Sequence, residues 1–489
     1  LIYLGADIGT TSAKCLAVGD AGEILAFAQH PYPLNHPRQG WVEQDPEDYW
    51  RGLVEVVTAC VTTCRERGRA TSEIAALALS TQGDTLILAD DTGRPIAPAI
   101  SWMDSRAKQQ MRALVAETGP SFWYRETGCR LTALSSACRI RWLSEAAPEL
   151  RARVRRFCYV PDLLAQRLSG KSIADLPSAS WTALFSPFER RWSEAVLKLL
   201  DVPPESLPDV VDSGTAIRRL TPAAAEALNL DPGTMLVAGA FDQAAAAHGA
   251  GATAGGTSVL SCGTAWVLYA VVARAVGDER EQIPICCHVR RSEWGLVQPF
   301  TGGAAYDWFH TTFPSGDDQE SRQAQPLVFV PHLYGGLSPD WRGESRGSIL
   351  GLTMAHTWGD VETAVMRGLA CEARRNVEAA ERLCGQIPSL RLVGGAGKSD
   401  VWPQMISDML NRPIVVSQQT ESACYGAAKL AAGTVADTWD QEQDARVFTP
   451  NAAQADAEDA FYARYVRFYE ALADLYAGDS EVSDARPPA

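Results

Sequence analysis

The stretch DIGTTSAK, Asp7 to Lys14, gathers an acid, a glycine, three hydroxyls and a lysine. Gly9 permits a tight turn after Asp7, and Thr10, Thr11 and Ser12 line that turn with hydroxyls, with Lys14 just beyond. Backbone N–H groups and hydroxyls in such a turn can wrap phosphate oxygens, and the neighbouring carboxylate can hold Mg2+ directly or through water. The same residue types also suit an ordinary hairpin turn. Their coincidence favours phosphate chemistry.

Asp242, in GAFDQAAAAHGAG, ends an apolar run and opens a run of small residues. Such an acid can simply cap a helix. Equally, a carboxylate kept ionised by the helix dipole can take the proton of a substrate hydroxyl. Two further segments, STQGDTL and SWMDSRA, offer Gln82, Asp84, Trp102, Asp104 and Arg106 at strand ends. Carboxylates accept from hydroxyls and an indole packs on C–H faces, so these groups suit a polyhydroxylated ligand. Turn residues with an Asp104–Arg106 surface pair would explain the same segments.

The stretch RLVGGAGKSD, Arg391 to Asp400, ends in Gly-Lys-Ser as a phosphate-binding P-loop does. That loop requires a glycine five positions before the one that precedes the lysine. Counting back from Gly397 reaches Leu392, inside an apolar run, so the motif fails. Gly394, Gly395 and Gly397 still bring a backbone without side chains to the end of a strand. There it either admits a flat or anionic ligand or makes a tight strand-to-helix turn.

These residues need elements to place them. LIYLGADI, AKCLAVG and ILAFAQH read as three strands of a meander, and QDPEDYW starts a helix with Asp45 as cap and Pro46 at its first position. Trp50, Leu53, Val54 and Val57 form its apolar stripe. Residues from about 105 to 235 read as mostly helical. Thr357 and Asp360 cap a long helix ending at Gly385, and Phe461, Tyr465, Phe468, Leu472 and Leu475 line the last one. LGADIGTTSAKCLAV and VLSCGTAWVLYAV share one plan: apolar strand, Gly-Thr turn, apolar strand. That repetition predicts two similar α/β domains.

Composition narrows the function further. The 489 residues carry a net charge of −15, which argues against nucleic acid or an anionic membrane as partner, since both need broad positive fields. Twelve cysteines occur without CxxC or zinc spacing, so reduced buried thiols are expected. The opening LIYLGADIG has no signal character, and no apolar run approaches the ~20 residues of a membrane span. A cytoplasmic soluble protein is expected.

Taken in order, GADIGTTSAK, GWVEQDPEDYW, PAISWMDSR, GAFDQAAAAHGAG, SCGTAW, RGSILGLTMAHT, RLVGGAGKSDVWPQMISDMLNRPI and ESACYGAAKLAAG resemble the FGGY family of carbohydrate kinases over nearly the whole chain. The middle segment YVPDLLAQRLSGKSIADLPSASWTALF is most similar to the xylulokinase branch. The resemblance implies an α/β fold of two actin/hexokinase-like (ribonuclease H-like) domains with an interdomain active-site cleft. It implies residues 1–250 as the N-terminal, sugar-binding domain and 251–478 as the nucleotide-binding domain, followed by an irregular tail, 479–489. It further implies ATP with Mg2+, and a small ketose or polyol phosphorylated on a terminal hydroxyl. A homodimer is compatible with it.

By motif position the resemblance makes Asp242 the catalytic base, also touching substrate. Asp7 becomes the metal-side acid, Gly9–Ser12 with Lys14 the first phosphate site, and Gly263–Thr264 the second phosphate turn. Gly394, Gly395, Gly397 and Ser399 fall in the adenosine segment, and Gln82, Asp84, Trp102 and Asp104 in the sugar site. One departure stands out: Gly83-Asp84 replaces the Met-His of typical xylulokinases and the Arg-Glu of glycerol kinases. That puts D-xylulose and glycerol in doubt. The rival reading is a non-sugar ATPase, an activator or chaperone-like protein, on the same two-lobed scaffold. The acidic and aromatic cluster around Asp84, Trp102 and Asp104 favours the kinase.

Overall fold

A computed structural model of the chain describes residues 1–252, 254–278, 280, 282–313, 326–417, 421–433, 439 and 445–483. Where one boundary near residue 250 is expected, the two compact units exchange segments. The first comprises Leu1–Gly255, Val271–Gly295 and Glu421–Gln441; the second comprises Gly256–Ala270, Leu296–Thr420 and Glu442–Ala489. The late helix Ser422–Ala432 joins the first unit because its small residues pack on that unit's sheet.

The first sheet is built from β1 (Ile2–Ile8), β2 (Ser12–Gly19), β3 (Ile24–Pro31), β4 (Ile74–Thr81), β5 (Ala216–Arg219) and β6 (Met235–Phe241), in the order β5-β6-β4-β1-β2-β3. The expected meander is present: β1, β2 and β3 run antiparallel in sequence. β1 and β6 each pair parallel with β4. Parallel strands are covered on both faces, which is why β1 and β4 read as nearly continuous apolar runs. Helix Pro46–Glu66 packs on β2 and β3, and helix Ser422–Ala432 packs on β1 and β4. Asp45 caps the former by accepting from the Glu47 N–H, as expected. Its buried face centres on Tyr49, Leu53, Val56 and Cys60, with Trp50 and Val54 only at the margin. Between Lys108 and Ala227 helices dominate, around a second core that includes Trp123, Ile140 and Phe157.

The second unit repeats this plan. Part of a seven-stranded sheet, its strands run in the order Trp294–Thr301, Ala265–Val272, Ser258–Cys262, Leu390–Gly394, Ile414–Val416, Arg446–Phe448. Ser258–Cys262 forms a hairpin with Ala265–Val272 and pairs parallel with Leu390–Gly394, as β1 does with β2 and β4. Ile414–Val416 and Arg446–Phe448 match β6 and β5 in position and direction. The shared Gly-Thr hairpin plan seen in the sequence is therefore the visible part of a whole repeated sheet. Helix Trp358–Cys384 starts at the Thr357/Asp360 capping box and stops at Gly385, as read from the sequence.

The last helix spans Ala455–Ser483, so the segment expected to be irregular beyond Gly478 is helical to Ser483; residues 484–489 lie outside the described residues. Its buried side keeps Phe461 and Tyr465 of the expected stripe but not Phe468, Leu472 or Leu475. Tyr462, Tyr465 and Tyr469 are buried with Phe461, while Leu475 is 66% exposed. The reason is polar. Tyr465 donates to the buried Glu372 carboxylate at 2.7 Å and Tyr469 donates to Asp340 at 2.9 Å, so phenols satisfy acids an aliphatic stripe would strand.

In the first unit, helix Asp242–Gly249 crosses helix Ser422–Ala432 backbone to backbone. A Cβ on Gly249 would lie 2.0 Å from the Ser422 carbonyl oxygen, and one on Gly426 would lie 1.9 Å from that of Ala245. A side chain there must push the helices apart, and Asp242 is the first residue of one of them. Gly426→Val should therefore cost about 1–3 kcal/mol in chemical denaturation and lower turnover as well. A variant with wild-type stability would show that the crossing is looser than described.

Candidate active site

Because β1, β4 and β6 run parallel, their carboxyl ends meet on one edge of the first sheet. Asp7 lies beside Ser80, Ile8 beside Thr81, and Thr81 beside Phe241, so the next residues, Gln82 and Asp242, emerge together. Asp242 is the first residue of its helix, with Phe241 in the cap position, and its side chain does not cap. Among the described residues its buried Oδ1 has no hydrogen-bond partner, and neither do the buried Gln82 Oε1 and Thr81 Oγ1. Buried polar atoms are nearly always paired, so a group of orphaned acceptors marks a place for a ligand.

The charge of one carboxyl bears on the other. Burial raises Asp242 to about 7, the charge of Asp7 adds to this, and Gln243 hydrogen bonds oppose it. Burial also raises Asp7 to about 6, against the Ser80 hydroxyl, which donates to its Oδ1 at 2.6 Å, and the charge of Lys14. Lys14 stands opposite Asp7 in the hairpin, but its ammonium pairs with Glu421 at 2.6 Å. Burial works against that charge; Glu421 and Asp7 outweigh it and hold Lys14 above its ordinary value.

The Gly9–Ser12 turn is braced from behind. Gly9 N–H donates to Ser12 O at 3.0 Å, Tyr32 OH donates to Gly9 O at 2.5 Å, and Gln44 Nε2 donates to Thr10 O at 2.6 Å. Trp102 Nε1 donates to Thr10 Oγ1 at 2.8 Å. The carbonyls are thus engaged, and among the described residues the N–H groups of Thr10 and Thr11 have no partner. Such a turn offers donors to an anion. Gln44 is the residue the sequence reading missed: fully buried, it accepts from Tyr49 OH at 2.7 Å and lies 3.4 Å from Gln82 Nε2, linking the turn to Gln82. It sits in GWVEQDPEDYW, quoted for resemblance but not for chemistry. Glu421, at the head of ESACYGAAK, was missed in the same way.

The other two acids are occupied. Asp84 accepts from the Ser136 hydroxyl and, at 3.1 Å, from its backbone N–H, and lies 3.8 Å from Arg139. Burial still raises it to about 6, against Arg139 and Ser136. Asp104 accepts from Val42 N–H at 2.6 Å and from Arg106, which also pairs with Glu43. This is no surface pair: Asp104 is fully buried and the guanidinium lies 3.7 Å from the Trp41 ring centroid.

In the second unit, Gly263–Thr264 turns the hairpin after Cys262, and Cys262 pairs in register with Gly394. Gly303 and Ala304 donate to the Gly263 and Thr264 carbonyls at 3.0 and 2.9 Å, docking the start of helix Gly303–Thr312 there. Gly394 has φ +94°, and a Cβ on it would lie 2.6 Å from Cys262 O, so glycine is required. Gly395–Lys398 form one short turn, with Gly397 O bonded to Arg446. Ser399 Oγ accepts from Val401 N–H at 3.1 Å, and no P-loop geometry occurs.

The raised Asp242 has a measurable consequence for stability. The folded chain keeps its proton up to about 7, whereas the unfolded chain loses it near the ordinary 3.8. The stabilisation is complete below the lower value and lost as pH rises through the upper one. Asp242→Asn lacks this loss, so its melting temperature relative to wild type should be higher at pH 8 than at pH 4. A pH-independent difference would contradict the burial of an unmatched carboxyl.

Residues 2–249 match the N-terminal domain of the FGGY family of carbohydrate kinases and residues 223–435 match its C-terminal domain. The chain is 30% identical over 494 residues to a glycerol kinase of Dechloromonas aromatica (strain RCB), covering 96% of each. It is 25% identical over 465 residues to a gluconokinase of Bacillus subtilis (strain 168), covering 90% of this chain and 89% of the relative. The crystal structure of a "xyloylose kinase" from Brucella ovis superposes with a TM-score of 0.90 at 26% identity, over 97% of this chain and all of that one. With both domains matched, the chain belongs to the FGGY carbohydrate kinases, phosphotransferases that act on alcohol acceptors.

Proposed function

We propose that the chain transfers the γ-phosphoryl group of MgATP to a terminal hydroxyl of a small ketose or polyol, with Asp242 as general base. The observation that carries this is the orphaned, buried Oδ1 of Asp242 beside a second raised carboxyl, Asp7. A carboxyl near 7 is well matched to taking a proton at neutral pH. In this reading Asp242 accepts the proton of the acceptor hydroxyl as that oxygen attacks phosphorus in line.

The N–H groups of Thr10 and Thr11 and the hydroxyls of the Gly9–Ser12 turn receive phosphate oxygens, and the Gly263–Thr264 turn serves in the same capacity. Gly394, Gly395 and Gly397 give the nucleoside a backbone free of side chains. Lys14 acts at one remove: neutralised by Glu421, its charge helps keep Asp7 ionised. Gln82 offers its orphaned Oε1 to an acceptor hydroxyl, and Trp102 lies close by through Thr10.

The residues fit a divalent cation only together with phosphate. Among the described residues no cluster of three or more His, Cys, Asp or Glu could cage a metal. Mg2+ needs no such cage when one or two carboxylates, waters and phosphate oxygens complete its shell. Asp7, directly or through water, and Asp242 are the residues that would hold it; it would supply charge neutralisation at the phosphates.

The purified chain should release ADP on addition of one carbohydrate from a panel of ketoses and polyols. Asp242→Asn should lower kcat by about 10²–10⁴-fold while leaving ATP affinity nearly unchanged, as read by calorimetry. Normal turnover in that variant would remove Asp242 from its role.

A further inference from the structure

Gly83 follows Gln82 directly, and its missing side chain is explained by what fills the space. A Cβ there would lie 2.6 Å from Phe241 Cε2 and 2.8 Å from Trp181 Cδ1. The two rings stack with centroids 5.2 Å apart and planes 21° from parallel. Phe241 is almost fully buried and precedes Asp242; Trp181 is partly exposed and follows the short helix Leu176–Ser180. The ring pair therefore packs at the residue after Gln82 and includes the residue before Asp242, and the orphaned oxygens of Gln82 and Asp242 mark the acceptor position. Position 83 brings no side chain to that position, and the Asp84 carboxyl is turned to Ser136 and Arg139.

Three cations nearby are matched. Arg139 is fully buried against Asp84 and the Leu134 carbonyl, Arg106 pairs with Glu43 and Asp104, and Lys14 pairs with Glu421. A negatively charged acceptor would meet Asp7 and Asp242 with no unmatched cation from these three. An uncharged one needs only hydroxyl partners and a surface for its C–H face, which an indole provides.

We propose that Trp181 is the specificity-determining wall of the acceptor site, selecting an uncharged polyol or ketose that lays its C–H face on the indole, and disfavouring sugar acids. The proposal rests on the kinase reading above and assigns its acceptor class. Trp181 takes over the place that a side chain at position 83 would otherwise fill.

The test is steady-state ADP release by the full chain with glycerol, erythritol, xylitol, D-xylulose and gluconate. Wild type should prefer a neutral acceptor over gluconate. Trp181→Ala should raise the KM of that acceptor about tenfold, with kcat and the KM for ATP changed little. Trp181→Phe, which keeps a ring on Phe241, should restore most of the loss, and it carries the comparison should Trp181→Ala fail to fold. The proposal is overturned by a wild-type preference for gluconate, or by an acceptor KM indifferent to both substitutions. Equal losses in acceptor KM, ATP KM and melting temperature would overturn it too, marking a merely structural ring. If wild type turns over none of the five, the kinase reading itself fails, an outcome distinct from turnover that ignores Trp181.

Discussion

Two carboxyl groups, Asp7 and Asp242, end the strands that flank β4 and are held close in a partly dehydrated edge of the sheet. Burial disfavours the charge of each, and the charge of Asp7 further disfavours that of Asp242. Such an arrangement is unfavourable in the free protein and becomes favourable when a cation or a proton donor arrives. The surrounding structure is what keeps it in place. Ser80 and the Lys14–Glu421 pair steady Asp7. The glycine-to-glycine helix crossing at Gly249 and Gly426 fixes the helix that Asp242 begins.

The sheet that presents these acids is built twice along the chain. Both copies put a Gly-containing turn between the first two strands and a parallel neighbour beside the first. In the first copy the neighbour's end supplies Ser80, Thr81 and Gln82; in the second it supplies Gly394 and Gly395. The same backbone frame thus carries polar side chains in one unit and bare backbone in the other.

Much of this was legible in the sequence. The meander, the Asp45 and Thr357 caps and the doubled hairpin follow from local turn chemistry and strand periodicity, which the fold leaves intact. Charge partners were less legible. Asp84 and Asp104 read as ligand groups because their types fit, yet their partners Ser136, Arg139 and Val42 lie far along the chain. Lys14 likewise meets Glu421 only through the fold. The final helix misled for a related reason: tyrosines were weighed as apolar, whereas their hydroxyls serve buried acids. Gly83 reads in the sequence only as a departure from the Met or Arg of relatives, whereas the fold fills its space with the Trp181–Phe241 stack.

Carboxyl 13C NMR of the aspartates, assigned by substitution and followed from pH 4 to 9, bears most directly on the carboxyl pair. The account predicts that the resonance assigned to Asp7 titrates near 6 and the one assigned to Asp242 near 7, the latter disappearing in Asp242→Asn, and that both shift when Mg2+ and a non-hydrolysable ATP analogue are added. Asp7 and Asp242 resonances that titrate near the ordinary 3.8, or that stay in place when Mg2+ and the nucleotide are added, would contradict it.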